Sequence, residues 1–312
     1  MKLFIINLKK GLMNLKCNLC KKDKQLKRSH IIPKFIYRWI KKSSVTGGIR
    51  GNNNPNLRKQ DGDVEKFLCA ECEQKFSVIE KYFKEHFFDE AKNNSIKKSV
   101  VTIELFDFCV SLIWRCLKFR VVNDYKLDEL TTSEKNIINE FLNKCETYLR
   151  DNNLNVLDPF NFHIIPTTEN MEEKGKINYN SFVNQRGTDH SYRAFCEDKE
   201  GFDYLLFYVK IPFFLIVVEI IPNSKYQWLA TKLEIGETVC NESNIEFDNI
   251  VIEILDTIHI NKEISKEKLS EVQSKKLKER VERELKNNPD KINSGSIKAI
   301  KRSSKYDQDK NK

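Results

Sequence analysis

The sequence predicts an α+β chain in three stretches. An N-terminal module built around paired cysteines occupies residues 1–98. An accessory α+β region follows at 99–260, helical over 104–150 and β-rich over 160–260. A charged helix and a basic, partly disordered tail make up 261–312. Three observations carry this reading. Two CxxC pairs, Cys17-Asn-Leu-Cys20 and Cys69-Ala-Glu-Cys72, lie in the first hundred residues. From Phe76 onward apolar residues recur at helical spacing. After Asp151, aromatic and β-branched runs broken by Gly201 and Pro212 take over.

Residues 14–30 read as a knuckle followed by a short strand. Pro33 opens a helix over Lys34 to Lys42, with Phe35, Ile36, Trp39 and Ile40 at helical spacing. Ser43 to Asp63, with Gly47-Gly48 and Asn52-Asn53-Asn54-Pro55-Asn56, reads as loop. Val64 to Leu68 is a strand entering the second CxxC, and a helix from about Ala70 to Ala91 aligns Phe76, Ile79, Phe83 and Phe87. Leu105 to Arg120 and Thr132 to Arg150 complete the helical stretch, the latter opened by capping chemistry at Thr-Ser-Glu. Strands are expected at Asn161–Ile165, Tyr192–Cys196, Phe202–Val209, Phe213–Ile221 and Tyr226–Leu233, with polar loop at 172–190. Phe247 to Ile258 fits strand or helix. Lys262 to Lys286 reads as one charged helix, and Asn287 onward as tail.

The 312 residues carry 20 Phe and 10 Tyr, which excludes a disordered composition. The longest apolar stretch, Ile211 to Ile221, is too short to cross a bilayer, and Leu3 to Ile6 is too short for a secretory signal. A cytoplasmic, non-membrane protein is expected. Charge is unevenly placed: residues 1–42 hold 13 Lys and Arg against the single acid Asp23, while residues 43–260 are net acidic. That asymmetry points to nucleic acid as partner, with Lys21, Lys22, Lys24, Lys27, Arg28, Lys34 and Arg38 as phosphate contacts. Tyr37 and Trp39 lie among them, either to stack bases or to pack in the core.

Nine cysteines, an odd number, argue against a disulfide framework. Cys17, Cys20, Cys69 and Cys72 supply the four thiolates that a tetrahedral Zn²⁺ takes, although 48 residues separate the pairs, so an insertion lies between them. Cys109, Cys116, Cys145, Cys196 and Cys240 read as small buried hydrophobes. There is no GxxxxGK[ST] or GxGxxG sequence, and no cysteine beside Asp189-His190 has the setting of a nucleophile.

Between the pairs lies Lys27-Arg28-Ser29-His30-Ile31-Ile32-Pro33. A CxxC, an S-H-I-I-P segment and a second CxxC opening a helix together resemble the zinc-containing HNH endonucleases, over roughly residues 14–90. Cys72-Glu73-Gln74-Lys75-Phe76-Ser77-Val78-Ile79-Glu80 is similar to a variant found in bacterial anti-phage defence operons. The resemblance implies a treble-clef (ββα-metal) core held by structural Zn²⁺, with His30 as the general base that activates water. It also implies a catalytic Mg²⁺ or Mn²⁺ held partly by Glu73, DNA rather than RNA as substrate, phage defence as role and a protein partner from the same operon. Ser29 stands where the family commonly has Asp or His, and its usual Asn before the second CxxC is missing, with Gln60-Asp61-Gly62-Asp63 upstream instead. Two other classes fit the same residues: a non-catalytic zinc-finger nucleic-acid-binding protein, and a zinc-stabilised protein-interaction subunit. Glu80 lies two turns beyond Glu73 on the expected helix. His86, His163, His190 and His259 have no ligand-spaced neighbours, and Trp114-Arg115 reads as packing.

Overall fold

In the computed structural model, which describes residues 15–52, 54–93, 96, 98–123, 130–195 and 203–310, paired strands bring the two cysteine motifs together. Residues 1–14, Cys196 and residues 311–312 lie outside the described residues. Strands β1 (Leu15–Lys16) and β2 (Asp23–Lys24) flank the first CxxC turn. Strand β3 (Leu26–His30) runs antiparallel to β6 (Val64–Cys69), from Leu26 opposite Cys69 to His30 opposite Val64. Between them come α1 (Lys34–Lys42) and a hairpin of β4 (Ile49–Gly51) and β5 (Asn54–Lys59). The sequence reads this hairpin as loop. It closes because Arg50 Nη1 donates to the Pro55 carbonyl (2.5 Å) and Arg58 Nη2 to that of Gly47 (3.1 Å), side-chain bonds that residue patterning does not reveal.

Helix α2 (Ala70–Phe83) starts directly from Cys69 and continues through a π turn at Lys84–Phe88 into α3 (Asp89–Ala91), burying Phe76, Ile79, Phe83 and Phe87 as their spacing predicts. After β7 (Ser99–Val100) comes α4 (Ile103–Val122), capped by Thr102 and buried around nearly its whole circumference, the signature of a central helix. In α5 (Thr132–Asp151) the cap is Thr131, in a reciprocal capping box with Glu134. Cys109, Cys116, Cys145 and Cys240 are buried thiols, as their apolar settings predict.

Four strands, β8 (Asn161–Pro166), β9 (Asp189–Phe195), β10 (Tyr204–Ile211) and β11 (Phe214–Ile221), form an antiparallel sheet in the order β8-β11-β10-β9. Because side chains alternate, each inner strand serves two cores. Leu205, Phe207, Val209, Phe214, Ile216 and Val218 join the core that runs without a break from Cys17 to Cys240 through α2, α4 and α5. Tyr204, Leu206, Tyr208, Leu215 and Val217 face a second core against α8 (Ile250–Glu267). The polar stretch 172–190, read as loop, contains the end of α6 (Glu169–Glu173), the whole of α7 (Ser181–Arg186) and the start of β9. Tyr226–Leu233 is reduced to β12 (Trp228–Leu229), paired with β14 (Glu246–Phe247), and β13 (Thr238–Val239) pairs with β7.

The stretch 247–258, which the sequence leaves between strand and helix, divides: Phe247 ends β14, and from Ile250 onward it is helix, since Ile250, Val251, Ile254, Leu255 and Ile258 share the face that α8 buries on the sheet. The single charged helix expected at 262–286 is broken, because Ser270 caps a new helix, α9 (Glu271–Asn287), by accepting the Gln273 N–H (3.3 Å). The expected tail is a 3₁₀ turn (Pro289–Asn293) and α10 (Gly295–Lys310). Arg302 of α10 pairs with Glu169 (3.2 Å), Glu172 (3.3 Å) and Glu173 (3.4 Å), and the Ser296 N–H donates to the Ser43 carbonyl (3.1 Å). These long-range partners hold a segment whose composition alone reads as solvated.

Glu172 is fully buried, and burial raises its pKa against the hydrogen bonds and the Arg302 charge that lower it. Arg302→Ala is expected to destabilise the chain by about 1–3 kcal/mol, because it removes a charged partner from a buried carboxylate. Urea unfolding followed by circular dichroism measures this; an unchanged midpoint would mean that α10 is not held this way.

Candidate metal centre and histidine site

Each cysteine pair is delivered by a tight local turn. Lys21, in the left-handed region at φ 60°, closes the first turn, its N–H donating to the Cys17 carbonyl (2.9 Å). Cys69 caps α2 and Cys72 lies in its first turn, so both thiols project from the positive end of a helix. The Leu26–Cys69 pairing then closes the 48-residue gap. The four ligand sulfurs lie within 4.8 Å of one another, with Cys20 Sγ and Cys69 Sγ 3.8 Å apart. Metal–sulfur bonds of about 2.3 Å in a tetrahedron require sulfurs about 3.8 Å apart, so the tetrad fits one metal ion such as zinc.

The electrostatics agree. The Cys17 thiol is held down to about 4, first by the hydrogen bond from the Cys72 thiol, against desolvation, with help from backbone N–H groups including that of Cys69 (3.3 Å). Cys72 is pushed up by Cys17 and by burial. Four thiols in this enclosure cannot all ionise unless a cation joins them.

His30 stands at the opposite end of the β3–β6 ladder from the cysteines. Its Nε2 lies 2.9 Å from Asp61 Oδ2. Desolvation raises the Asp61 pKa, but the His30 hydrogen bond and the Gly62 N–H (3.1 Å) outweigh it, and the carboxyl falls below its ordinary range. Asp61 lies in the stretch that the sequence reads as loop, and the fold brings it to the imidazole. Gly62 follows for a steric reason: a Cβ there would lie 2.0 Å from Cε2 of the buried Tyr37 ring.

Glu73 is not brought to His30. Five residues of β6 from Val64 to Cys69 span about 17 Å. Helix α2 doubles back at about 1.5 Å per residue and so draws level with His30 some eleven residues past Cys69. That level is Glu80, whose Oε1 accepts from Arg115 Nη1 (2.6 Å), while the same Nη1 lies 3.4 Å from the His30 carbonyl. Arg115, read from sequence as packing, therefore ties α4, α2 and the histidine strand together. Glu73 is half-buried in the first turn and has no hydrogen bond or ion pair among the described residues. Ser29 is buried, and its hydroxyl accepts the Leu68 N–H (3.1 Å) inside the hairpin, which takes it away from any metal.

The basic residues divide. Lys21 pairs with buried Glu146 (2.6 Å), and Lys24 pairs with Glu71. Lys22, Lys27, Arg28, Lys34 and Arg38 are exposed and without a partner among the described residues. Tyr37 is buried, and Trp39 packs edge-on against Phe88 and Phe213 (5.6 and 5.0 Å), so neither is presented to stack bases. His163 is buried between Thr231 (3.0 Å) and Glu219 (3.3 Å), and His86 stacks on Tyr82. His190, singled out only as a neighbour of Asp189, lines a cavity of about 290 Å³ together with Asp61.

No protein-family model, curated protein or solved structure matches the chain. Among the described residues no helix is long and apolar enough to cross a membrane.

Purified chain is expected to carry a single tightly held metal ion, and Cys72→Ser to lose it together with a large part of the cooperative unfolding transition; elemental analysis beside thermal denaturation checks both. Gly62→Ala is expected to cost about 1–3 kcal/mol by overpacking against Tyr37. It should also disturb the His30–Asp61 bond, which the imidazole ¹⁵N shifts of His30 would report.

Proposed function

We propose that the chain is a metal-dependent endonuclease of the HNH kind acting on DNA, with Zn²⁺ on Cys17, Cys20, Cys69 and Cys72 as the structural ion of a treble-clef core. The observation that carries this reading is the His30–Asp61 pair, held at the end of a hairpin whose other end is the cysteine tetrad. With Nε2–H donated to Asp61, the Nδ1 lone pair of His30 is free to take a proton from water. The resulting hydroxide attacks phosphorus, the bond to the leaving sugar oxygen breaks, and that oxygen is protonated from solvent. Lys22, Lys27, Arg28, Lys34 and Arg38 supply cationic contacts for the strand.

The catalytic Mg²⁺ or Mn²⁺ of this reading meets one carboxylate already in place, Asp61, and no converging set of three His, Asp or Glu side chains among the described residues. Mg²⁺ commonly makes do with one or two carboxylates, water and substrate phosphate, and when bound it offsets the charge that develops on the phosphate. Glu73, at the cysteine end, has no part in this arrangement. Preference for DNA, a role in phage defence and an operon partner rest on the sequence resemblance alone.

The buried hydroxyl of Ser29 favours a second reading, in which the same surface binds nucleic acid without cutting it. Plasmid cleavage with Mg²⁺ or Mn²⁺ separates the two. His30→Ala, with its zinc intact, is expected to lose about 10²-fold or more of the rate. Equal cleavage by both proteins would remove His30 from the chemistry, whereas salt-sensitive binding with no cleavage by either would select the second reading.

A further inference from the structure

Strand register sets two cations against each other in the middle of the histidine hairpin. In the β3–β6 ladder Arg28 lies directly opposite Lys66, two residues before the His30–Val64 pair and with no register shift between the two pairs. Side chains alternate along a strand, so Arg28, Lys66, His30 and Val64 share one face, while Ser29 and Glu65 turn to the other. Arg28 and Lys66 are both exposed, and neither has a side-chain hydrogen bond or ion pair among the described residues. The acid next to Lys66 in sequence, Glu65, stands opposite Ser29 on that other face, and Glu71 at the cysteine end is taken by Lys24. Directly opposed residues of an antiparallel pair hold their Cβ atoms about 5 Å apart, and like charges placed so repel and weaken the pairing. Folding therefore fixes two unneutralised cations at a spacing that an anion between them converts from repulsion to attraction.

A phosphodiester offers two charged oxygens, one for the guanidinium fork and one for the ammonium. A small free anion would need this pair alone. The exposed cations continue along the module, however, through Lys27 on β3 and Lys34 and Arg38 on α1, and neither element carries an acid, which suits a polyanion. We propose that Arg28 and Lys66 form a phosphate clamp, gripping one backbone phosphate of a nucleic-acid strand on the face of the hairpin that carries His30. Two residues of strand, about 7 Å, separate Arg28 from His30, a span comparable with one nucleotide step, so the gripped phosphate neighbours the one presented to the imidazole. This inference rests on the reading of the hairpin as facing nucleic acid and deepens it: Lys66, outside the N-terminal basic block, joins the binding residues, and the clamp sets the register of the strand against His30.

The test measures affinity for a short DNA duplex over a salt series, without added divalent ions so that no cleavage intervenes, each variant being checked for metal content. Arg28→Ala and Lys66→Ala should each weaken binding. Because they share one phosphate, the double variant should lower the slope of log affinity against log salt by about 0.9 in total, which is about an eightfold loss at about 0.1 M salt. Lys66→Glu sets opposite charges across the ladder, so its urea midpoint should equal or exceed that of the unsubstituted chain while its DNA affinity falls furthest. Unchanged affinity in the double variant overturns the proposal, and a slope lowered by about twice that amount overturns it in favour of two separate contacts. A lower midpoint in Lys66→Glu with its metal intact overturns it in favour of a structural lysine. Inorganic phosphate is the control: if it stabilises the unsubstituted chain but not Lys66→Glu, with equal DNA affinity in both, the site takes a free anion and the proposal fails. Absence of DNA binding by the unsubstituted chain removes the nucleic-acid reading and the clamp together, whereas binding that ignores these substitutions sinks only the clamp. Plasmid cleavage, scored separately, decides the nuclease.

Discussion

A guanidinium placed inside a hydrophobic core must be paired, and Arg115 imposes that requirement where three elements meet. It is 3 % exposed on the central helix, stacks over Phe76 at 5.1 Å, and divides one nitrogen between Glu80 of α2 and the carbonyl of His30. Leaving such a charge without its partner costs roughly 3–5 kcal/mol. The orientation of the histidine strand, the level of α2 and the position of α4 are therefore interdependent, and the site geometry inherits the rigidity of the core. The cysteine tetrad constrains the other end of the same hairpin, so β3 and β6 are anchored at both ends and Asp61 has a defined place to meet His30.

The same economy of charge governs the surface. Lys21 and Lys118 both reach the buried carboxylate of Glu146, at 2.6 and 3.1 Å, and thereby join the first cysteine turn and α4 to α5. Among the described residues, Lys22 on the first cysteine turn, Lys27 and Arg28 on β3, and Lys34 and Arg38 on α1 are exposed and left for a ligand. The sheet contributes in a different way. Its two inner strands are buried on both faces, which fixes β9 against β10 and sets His190 against the end of α4. The accessory region is therefore structurally continuous with the metal module, and the cavity between them follows from that continuity.

Much of this was legible in the residues because it depends on local chemistry. CxxC spacing names a metal site, since two intervening residues let both sulfurs face one ion. Period-3.6 apolar spacing located α2, α4 and α5, and the Thr131–Glu134 pair is a capping box that is complete within four residues. His30 stood out through its place between the cysteine motifs. Other features required the folded chain because their partners are distant in sequence. Asp61 reaches His30 across 31 residues, Arg115 reaches Glu80 across 35, and Arg302 reaches Glu172 across 130. Glu73 and Glu80 lie on one helix and are indistinguishable by pattern. Only the relative rise of strand and helix, about 3.3 against 1.5 Å per residue, decides which of them stands beside the histidine.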